Sequence, residues 1–459
     1  MWILATLLTL GFIWWLLHTE VKRRGRLPTT MWIPFIWCVV KASRPVALWF
    51  RTGGVDEISG NPYDAVLDLL LIIGAYLIVR YKHPWKRVWE SNPYFSLIVI
   101  FFLISIIWSP FPYVAMKRWI REVGNILIAL VILTDAKPAE TLKTLGVRCA
   151  YILLPLSELL VRFFPEFGRV YTNGGAPTIT GVTTQKNELG IMCAILGLLL
   201  VWDILDTWRE RKLTGKKISL VAQWIALGWI LRFLHTSDSK TSILALALGC
   251  VILLSTYLKS IRNRPVLFGR ACVLFVITGL LAVTFVTTKL SWVFNALGRD
   301  VTFTERDGIW AAVLDMPINP LIGNGFFSFW LRWGPTVAAR FVNFIPRSAH
   351  NGYLETYLDG GIIGCVLLGI FLLWTSFKAA RGMSHEYGES RLVLAIVMMA
   401  LVSNFTEAYF FRLDLFWLCI VVASLSVRGA LLSEPSTQTQ VLKRDVLWPR
   451  AIRAGVVSR

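Results

Sequence analysis

Long apolar runs, separated by short charged or Gly/Pro-rich stretches, recur along almost the whole chain. Most are about 16–24 residues, the length a helix needs to cross a hydrocarbon core about 30 Å thick. The pattern predicts spans near 2–17, 31–50, 63–80, 94–111, 123–134, 149–164, 188–206, 218–235, 242–258, 266–288, 360–377, 392–411 and 413–428. The predicted fold is all-α, a polytopic transmembrane helical bundle of about 12–13 spans with a large loop that contains short helices. Residues 2–17 read as a retained span, because no basic n-region precedes them and no small-residue cleavage site follows.

The signs of the loops set the expected orientation. Lys22, Arg23, Arg24 and Arg26, then Lys82, Lys86 and Arg87, then the cluster from Arg209 to Lys217, then Lys259, Arg262 and Arg264, then Lys378 and Arg381 fall on alternate loops. Short basic loops stay in the cytoplasm, so the basic tail 429–459 lies there and the N-terminus lies outside. The chain then divides into N-terminal spans (1–288), a large extracytoplasmic loop (289–359), C-terminal spans (360–428) and the tail (429–459).

Composition agrees with that division. Hydrophobic residues make up 56% of the chain, and the mean hydropathy is +0.61, as in membrane proteins rather than soluble ones. The net charge of +19 sits mostly in the short loops, which argues for a bilayer and against nucleic acid as the partner. The seven cysteines are scattered through predicted spans without paired spacing, so neither a disulfide framework nor a zinc site is indicated.

Three outer loops carry cations against the topological bias: 113–122, 165–187 and 289–359. An anionic ligand is the simplest reason for them. The richest stretch runs from Arg299 to Gly364, with Arg299, Arg306, Arg332, Arg340, Arg347 and His350. His350 is followed by Asn351 and then by Gly361 and Gly364 at the entry to an apolar run. An imidazole there can take a proton from a hydroxyl nucleophile, and the glycines let a helix approach its neighbour closely. A single structural hydrogen bond would also account for His350. Arg306 and Arg299 can grip phosphate oxygens with planar forks, or they can pair with Asp300, Glu305 and Asp307. Lys186 stands where a Gly-bearing loop meets a span; it is either an anion ligand at a helix N-terminus or a snorkelling interfacial lysine. Asp238 and Lys240 read as a local ion pair with Ser/Thr capping. HExxH, GxxxxGK[ST] and GxSxG motifs are absent, and the key loop has no DxD-like pair, so neither a metal nor a cofactor is expected.

The motifs Q-K-N-E-L-G (185–190), S-D-S-K-T-S (237–242), G-R-D-V-T-F-T-E-R-D-G-I-W (298–310), P-L-I-G-N-G-F (320–326) and H-N-x9-G-x-x-G (350–364) stand in the order seen in the O-antigen ligase family, which the chain resembles. S-R-P-V-A-L-W (43–49), W-S-P-F-P (108–112) and K-R-W-I (117–120) resemble its exopolysaccharide-production branch in particular. Two departures stand out: the family's T-G-R is T-E-R here, with Glu305, and Lys186 stands where the ligases carry an arginine.

The resemblance implies a metal-independent membrane glycosyltransferase of the bacterial inner membrane with its active site facing the periplasm. It would transfer or polymerise glycan from an undecaprenyl-diphosphate-linked donor onto a glycan or lipid acceptor, alongside other polysaccharide export and assembly proteins. It implies His350 and Arg306 as catalytic, with Lys186 as the basic residue on an earlier span. Arg306, Lys186 and Arg299 would hold the diphosphate, supported by Asn351, Gly361 and Gly364. A transporter of polysaccharide or lipid-linked oligosaccharide is the alternative class. It should place ionisable groups near span centres, whereas His350 and Arg306 lie outside them.

Overall fold

Every predicted apolar run falls on a helix in the computed structural model, which describes residues 1–50, 61–82, 92–171, 177–215, 217–289, 306–342, 345–384 and 387–426. Apart from short helical turns, the order is α1 (Trp2–Arg24), α2 (Trp32–Lys41), α3 (Val46–Phe50), α4 (Pro62–Lys82), α5 (Pro93–Ile104), α6 (Pro112–Ile132), α7 (Pro138–Phe163), α8 (Lys186–Thr214), α9 (Val221–Thr236), α10 (Lys240–Ser255), α11 (Pro265–Lys289), α12 (Arg306–Leu314), α13 (Phe329–Ala338), α14 (Gly352–Gly382), α15 (Tyr387–Thr406) and α16 (Leu415–Ser426). A small antiparallel ribbon, β1 (Arg169–Tyr171) with β2 (Pro177–Ile179), sets Val170 opposite Thr178. Among the described residues seven helices are long and apolar enough to cross a membrane. The chain is a multi-pass, all-α membrane protein.

Proline opens α5, α6 and α7, where its fixed φ suits the first turn and its missing N–H costs no bond. The centre of the bundle is α7, α8 and α15, whose apolar windows are 78%, 83% and 78% buried. Glycines bring these helices and α10 together: a Cβ on Gly146 would meet Leu199, and one on Gly249 would meet Met399 and Leu198. In contrast, α1 and α11 bury only 6% and 17% of theirs. Apolar on nearly every side, they offer that surface to lipid.

Three expected boundaries change. Residues 113–122, expected as an outer loop, form the first half of α6, whose cations depress the local hydropathy and hide the helix start from a run-length reading. Arg121 from this half and Lys41 from α2 meet Asp68, at 3.5 and 2.5 Å. The expected span 31–50 is interrupted after Lys41 and resumes as α3 beyond Pro45, because a proline disfavours helical backbone in the residue before it. The helix expected from residue 360 begins at Gly352.

The two ends of the bundle differ in charge. At one end Asp203 accepts from Arg23 at 2.7 Å and from Arg24, Arg148 meets Glu20 at 2.5 Å, and Asp206 meets Lys143 and Arg391 at 2.7 and 3.0 Å. Arg391 lies in the second turn of α15 and Glu407 follows its last residue, so these groups lie about 24 Å apart along the axis. The residues singled out from the sequence gather at the Glu407 end.

Candidate active site

The site is built on a broken helix. Gly361, at φ +61, interrupts α14, and such a break orphans carbonyls on one side and amides on the other. The P-L-I-G-N-G-F loop supplies their partners. Asn324 and Gly325 amides donate to Leu358 O and Asp359 O at 3.0 and 2.8 Å, while Ile362 and Ile363 amides donate to Pro320 O and Leu321 O at 2.8 and 3.1 Å. The approach is so close that a Cβ on Gly361 would lie 2.3 Å from the Leu321 carbonyl carbon, and one on Gly323 would lie 2.4 Å from that of Asp359. Gly364 is less confined, with its nearest neighbours 3.4 Å from a notional Cβ. The W-S-P stretch closes the loop from the other side: Trp108 Nε1 donates to Ile322 O at 3.2 Å, and the hydroxyls of Ser109 and Ser328 lie 2.7 Å apart.

His350 and Asn351 form the entry to that helix. Asn351 is the N-cap, its Oδ1 accepting from the Tyr353 and Leu354 amides at 3.0 and 3.1 Å, which satisfies donors that a helix start leaves free. His350 precedes it in the left-handed region, at φ +48, a conformation that surrounding contacts must impose on a non-glycine residue. They do so from both sides. Glu355 Oε1 accepts from the Ala349 amide at 2.7 Å and from Ser348 Oγ at 3.0 Å. Trp310 Nε1 donates to Ala349 O at 2.8 Å. Trp310 lies one turn after Arg306 on α12, so both face the same neighbourhood.

Glu407 joins the parts. It is buried, 6% exposed, and one of its oxygens, Oε2, lies 3.0 Å from His350 Nδ1. The other, Oε1, accepts from Arg306 Nη2 at 2.7 Å and Asn187 Nδ2 at 2.6 Å. Its backbone carbonyl accepts from the Gly352 amide at 2.8 Å. A carboxylate only accepts, so Nδ1 is the donor of the His350 contact, and in a neutral imidazole that makes Nε2 the acceptor. Among the described residues, the carboxylate that meets Arg306 is thus a distant one.

Lys186 is the first residue of α8 and Lys240 the first of α10. The two helix starts touch, since a Cβ on Gly190 would lie 2.7 Å from Ser239 Cβ and from Ser242 Oγ. Thr241 and Thr406 share a 2.6 Å hydroxyl contact beside Glu407. Neither lysine has a side-chain partner among the described residues. The expected Asp238–Lys240 ion pair does not form; Asp238 is left-handed, at φ +48, and both side chains are exposed. A cation at a helix N-terminus opposes the macrodipole. Lys186, Lys240 and Arg306 each occupy that position, an arrangement that favours an anion among them. Arg299 lies outside the described residues. Among the described residues no group of three or more His, Cys, Asp or Glu side chains gathers as a metal site.

Residues 225–369 match the family described as O-Antigen ligase. The exopolysaccharide production protein ExoQ of Rhizobium meliloti (strain 1021) is 25% identical over 327 residues, covering 67% of this chain and 70% of that protein. Over residues 225–369 the chain is thus similar to the O-antigen ligase family, and over about two thirds of its length it is similar to an exopolysaccharide production protein. These likenesses support a place in polysaccharide biosynthesis and a glycosyltransferase-like activity. The O-antigen ligase match includes Lys240, Arg306, His350, Gly361 and Gly364. It ends before Glu407 and begins after Lys186 and Asn187, which reach the site from outside the matched segment. The sequence reading did not identify Glu407, Asn187 or Lys240 as site residues. The available signal for Glu407 was a carboxylate inside the apolar run 392–411, where an ionisable group calls for a partner.

Proposed function

We propose that this protein is a member of the O-antigen ligase family that transfers or polymerises glycan from an undecaprenyl-diphosphate-linked donor to an acceptor hydroxyl at the periplasmic face of the bacterial inner membrane. The observation that carries the reading is the single carboxylate of Glu407 holding both His350 and Arg306.

His350 Nε2 takes the proton of the acceptor hydroxyl as its oxygen attacks the anomeric carbon. The bond from that carbon to the diphosphate oxygen breaks, and the diphosphate leaves with the electron pair. Charge grows on the leaving group, so cations placed there stabilise the transition state more than the ground state. Arg306 keeps further N–H groups for phosphate beyond the one given to Glu407, and Lys186, Lys240 and Arg299 complete the set. These cations, rather than a divalent ion, do the electrostatic work in this scheme. The periplasmic assignment is supported by the basic, ion-paired cluster at the opposite end of the bundle.

Purified protein in liposomes with a labelled polyprenyl-diphosphate glycan tests the reading. A new glycosidic bond is expected, and its loss in His350→Ala while the protein still inserts. Translocation without bond formation would replace the enzyme by the transporter, and normal product from the histidine variant would remove His350 from the mechanism.

A further inference from the structure

Arg44, in the S-R-P-V-A-L-W stretch, has no part in the scheme above, yet it is more deeply buried than Lys186, Lys240 or Arg306. It is 8% exposed, and its guanidinium is taken up by main-chain carbonyls. Nη2 donates to Gly181 O at 2.9 Å, Thr183 O at 3.0 Å and Phe167 O, and Nε donates to Val182 O at 3.3 Å. Its own amide donates to Val182 O at 2.8 Å. Trp49 and Phe167 lie against the guanidinium carbon, with ring centroids at 5.1 and 5.6 Å. Among the described residues no carboxylate lies within ion-pair distance of it.

The carbonyls it gathers belong to the segment that turns into α8. Gly181 is left-handed at φ +55, and a Cβ there would meet Ser157 at 2.8 Å. Thr183 Oγ1 donates to the Thr180 and Gln185 carbonyls at 2.8 and 2.9 Å. The next two residues are Lys186 and Asn187, the latter bonded to Glu407. We infer that Arg44 is a positioning residue for the diphosphate site: its fork fixes the 181–183 backbone that sets Lys186 and Asn187 at the helix start.

This inference rests on the glycan-transfer reading, and donor KM is the quantity that isolates it. A residue that only held the fold would change how much enzyme is active, lowering the maximal rate at unchanged KM. A residue that sets the diphosphate site changes donor KM itself where chemistry is slow. With the full chain in liposomes, Arg44→Gln and Arg44→Lys are each expected to raise donor KM about tenfold at unchanged acceptor KM. Lysine fails because a single ammonium cannot span both carbonyl segments. The Arg44→Gln/Lys186→Gln double variant should be no more than about twofold worse than Lys186→Gln alone, since both act on one contact. Donor KM within about twofold of the parent, multiplying effects in the double variant, or failure of both Arg44 variants to accumulate as folded protein would overturn the inference. Absence of transfer by the parent protein would instead count against the enzyme itself. Binding of inorganic pyrophosphate to the full chain then still reports on Arg44, with about tenfold weakening expected in Arg44→Gln and unchanged binding contradicting the assignment.

Discussion

Asn187 Nδ2 donates to Glu407 Oε1 over 2.6 Å, and this bond ties the helix that begins with Lys186 to the carboxylate that holds His350. The placement of base and cations therefore depends on one buried side chain, and the first prediction follows from it.

Glu407→Gln keeps the shape but offers one carbonyl oxygen where two carboxylate oxygens now serve Arg306, Asn187 and His350. The amide group must then turn its own donors toward one of them. Transfer should fall by about a hundredfold or more, the scale of losing an oriented general base, while insertion is retained. Initial rates in proteoliposomes measure it, and a rate within a few-fold of the parent would deny Glu407 its orienting role.

Arg306→Lys retains charge yet cannot meet Glu407 and a phosphate with one rigid fork. A drop in transfer of about tenfold or more is expected, chiefly in kcat, because the diphosphate gains charge during the reaction. A change confined to donor KM would place Arg306 in ground-state binding only.

Lys240→Gln should raise donor KM and weaken competition by inorganic pyrophosphate, about tenfold for loss of one charge-assisted contact. Lys186→Gln should act in the same direction, and acceptor KM should stay put in both. If Lys240→Gln altered neither donor KM nor pyrophosphate competition, α10 would have no share in anion binding.

Asn351→Ala removes the cap of α14 and should cost about 1 kcal/mol. Asn351→Asp, which can still accept from the Tyr353 and Leu354 amides, should be near neutral. Thermal unfolding in detergent compares the pair; equal losses would mean that the cap bonds are not what matters at this position.

Gly361→Ala combines a left-handed backbone with a Cβ driven into the Leu321 carbonyl. It should lose about 2 kcal/mol or more, whereas Gly364→Ala, with its nearest neighbour at 3.4 Å, should be tolerated. The same melting experiment decides it, and equal tolerance of both alanines would contradict the contact described.

Much of the helical framework was legible in the sequence because apolar run length is a local property and the bilayer fixes its scale. It failed where charge sits inside a helix: Lys117, Arg118 and Arg121 lower the hydropathy of α6, and Pro112, the true start, fell between the predicted span 94–111 and the predicted loop 113–122. Residues of the site were legible one at a time, as a histidine, an arginine and a lysine at element ends. Their relationships were not, because Glu407 lies 57 residues from His350 and 101 from Arg306, and sequence proximity suggested nearer partners. Asp238 shows the same limit from the opposite direction, being two residues from Lys240 and unpaired with it.

The seam between the broken helix and the P-L-I-G-N-G-F loop is made chiefly of main-chain groups, with Asn324 Nδ2 adding a bond to Leu358 O at 3.3 Å. Leu321, 57% exposed, contributes its carbonyl there and little else. A library randomised at Leu321 should therefore return many working clones, while one randomised at Gly323 and Gly361 should return almost none besides the parent. Spelling at this seam is free wherever a side chain points outward, and fixed at the two places where the backbones leave no room for a carbon atom.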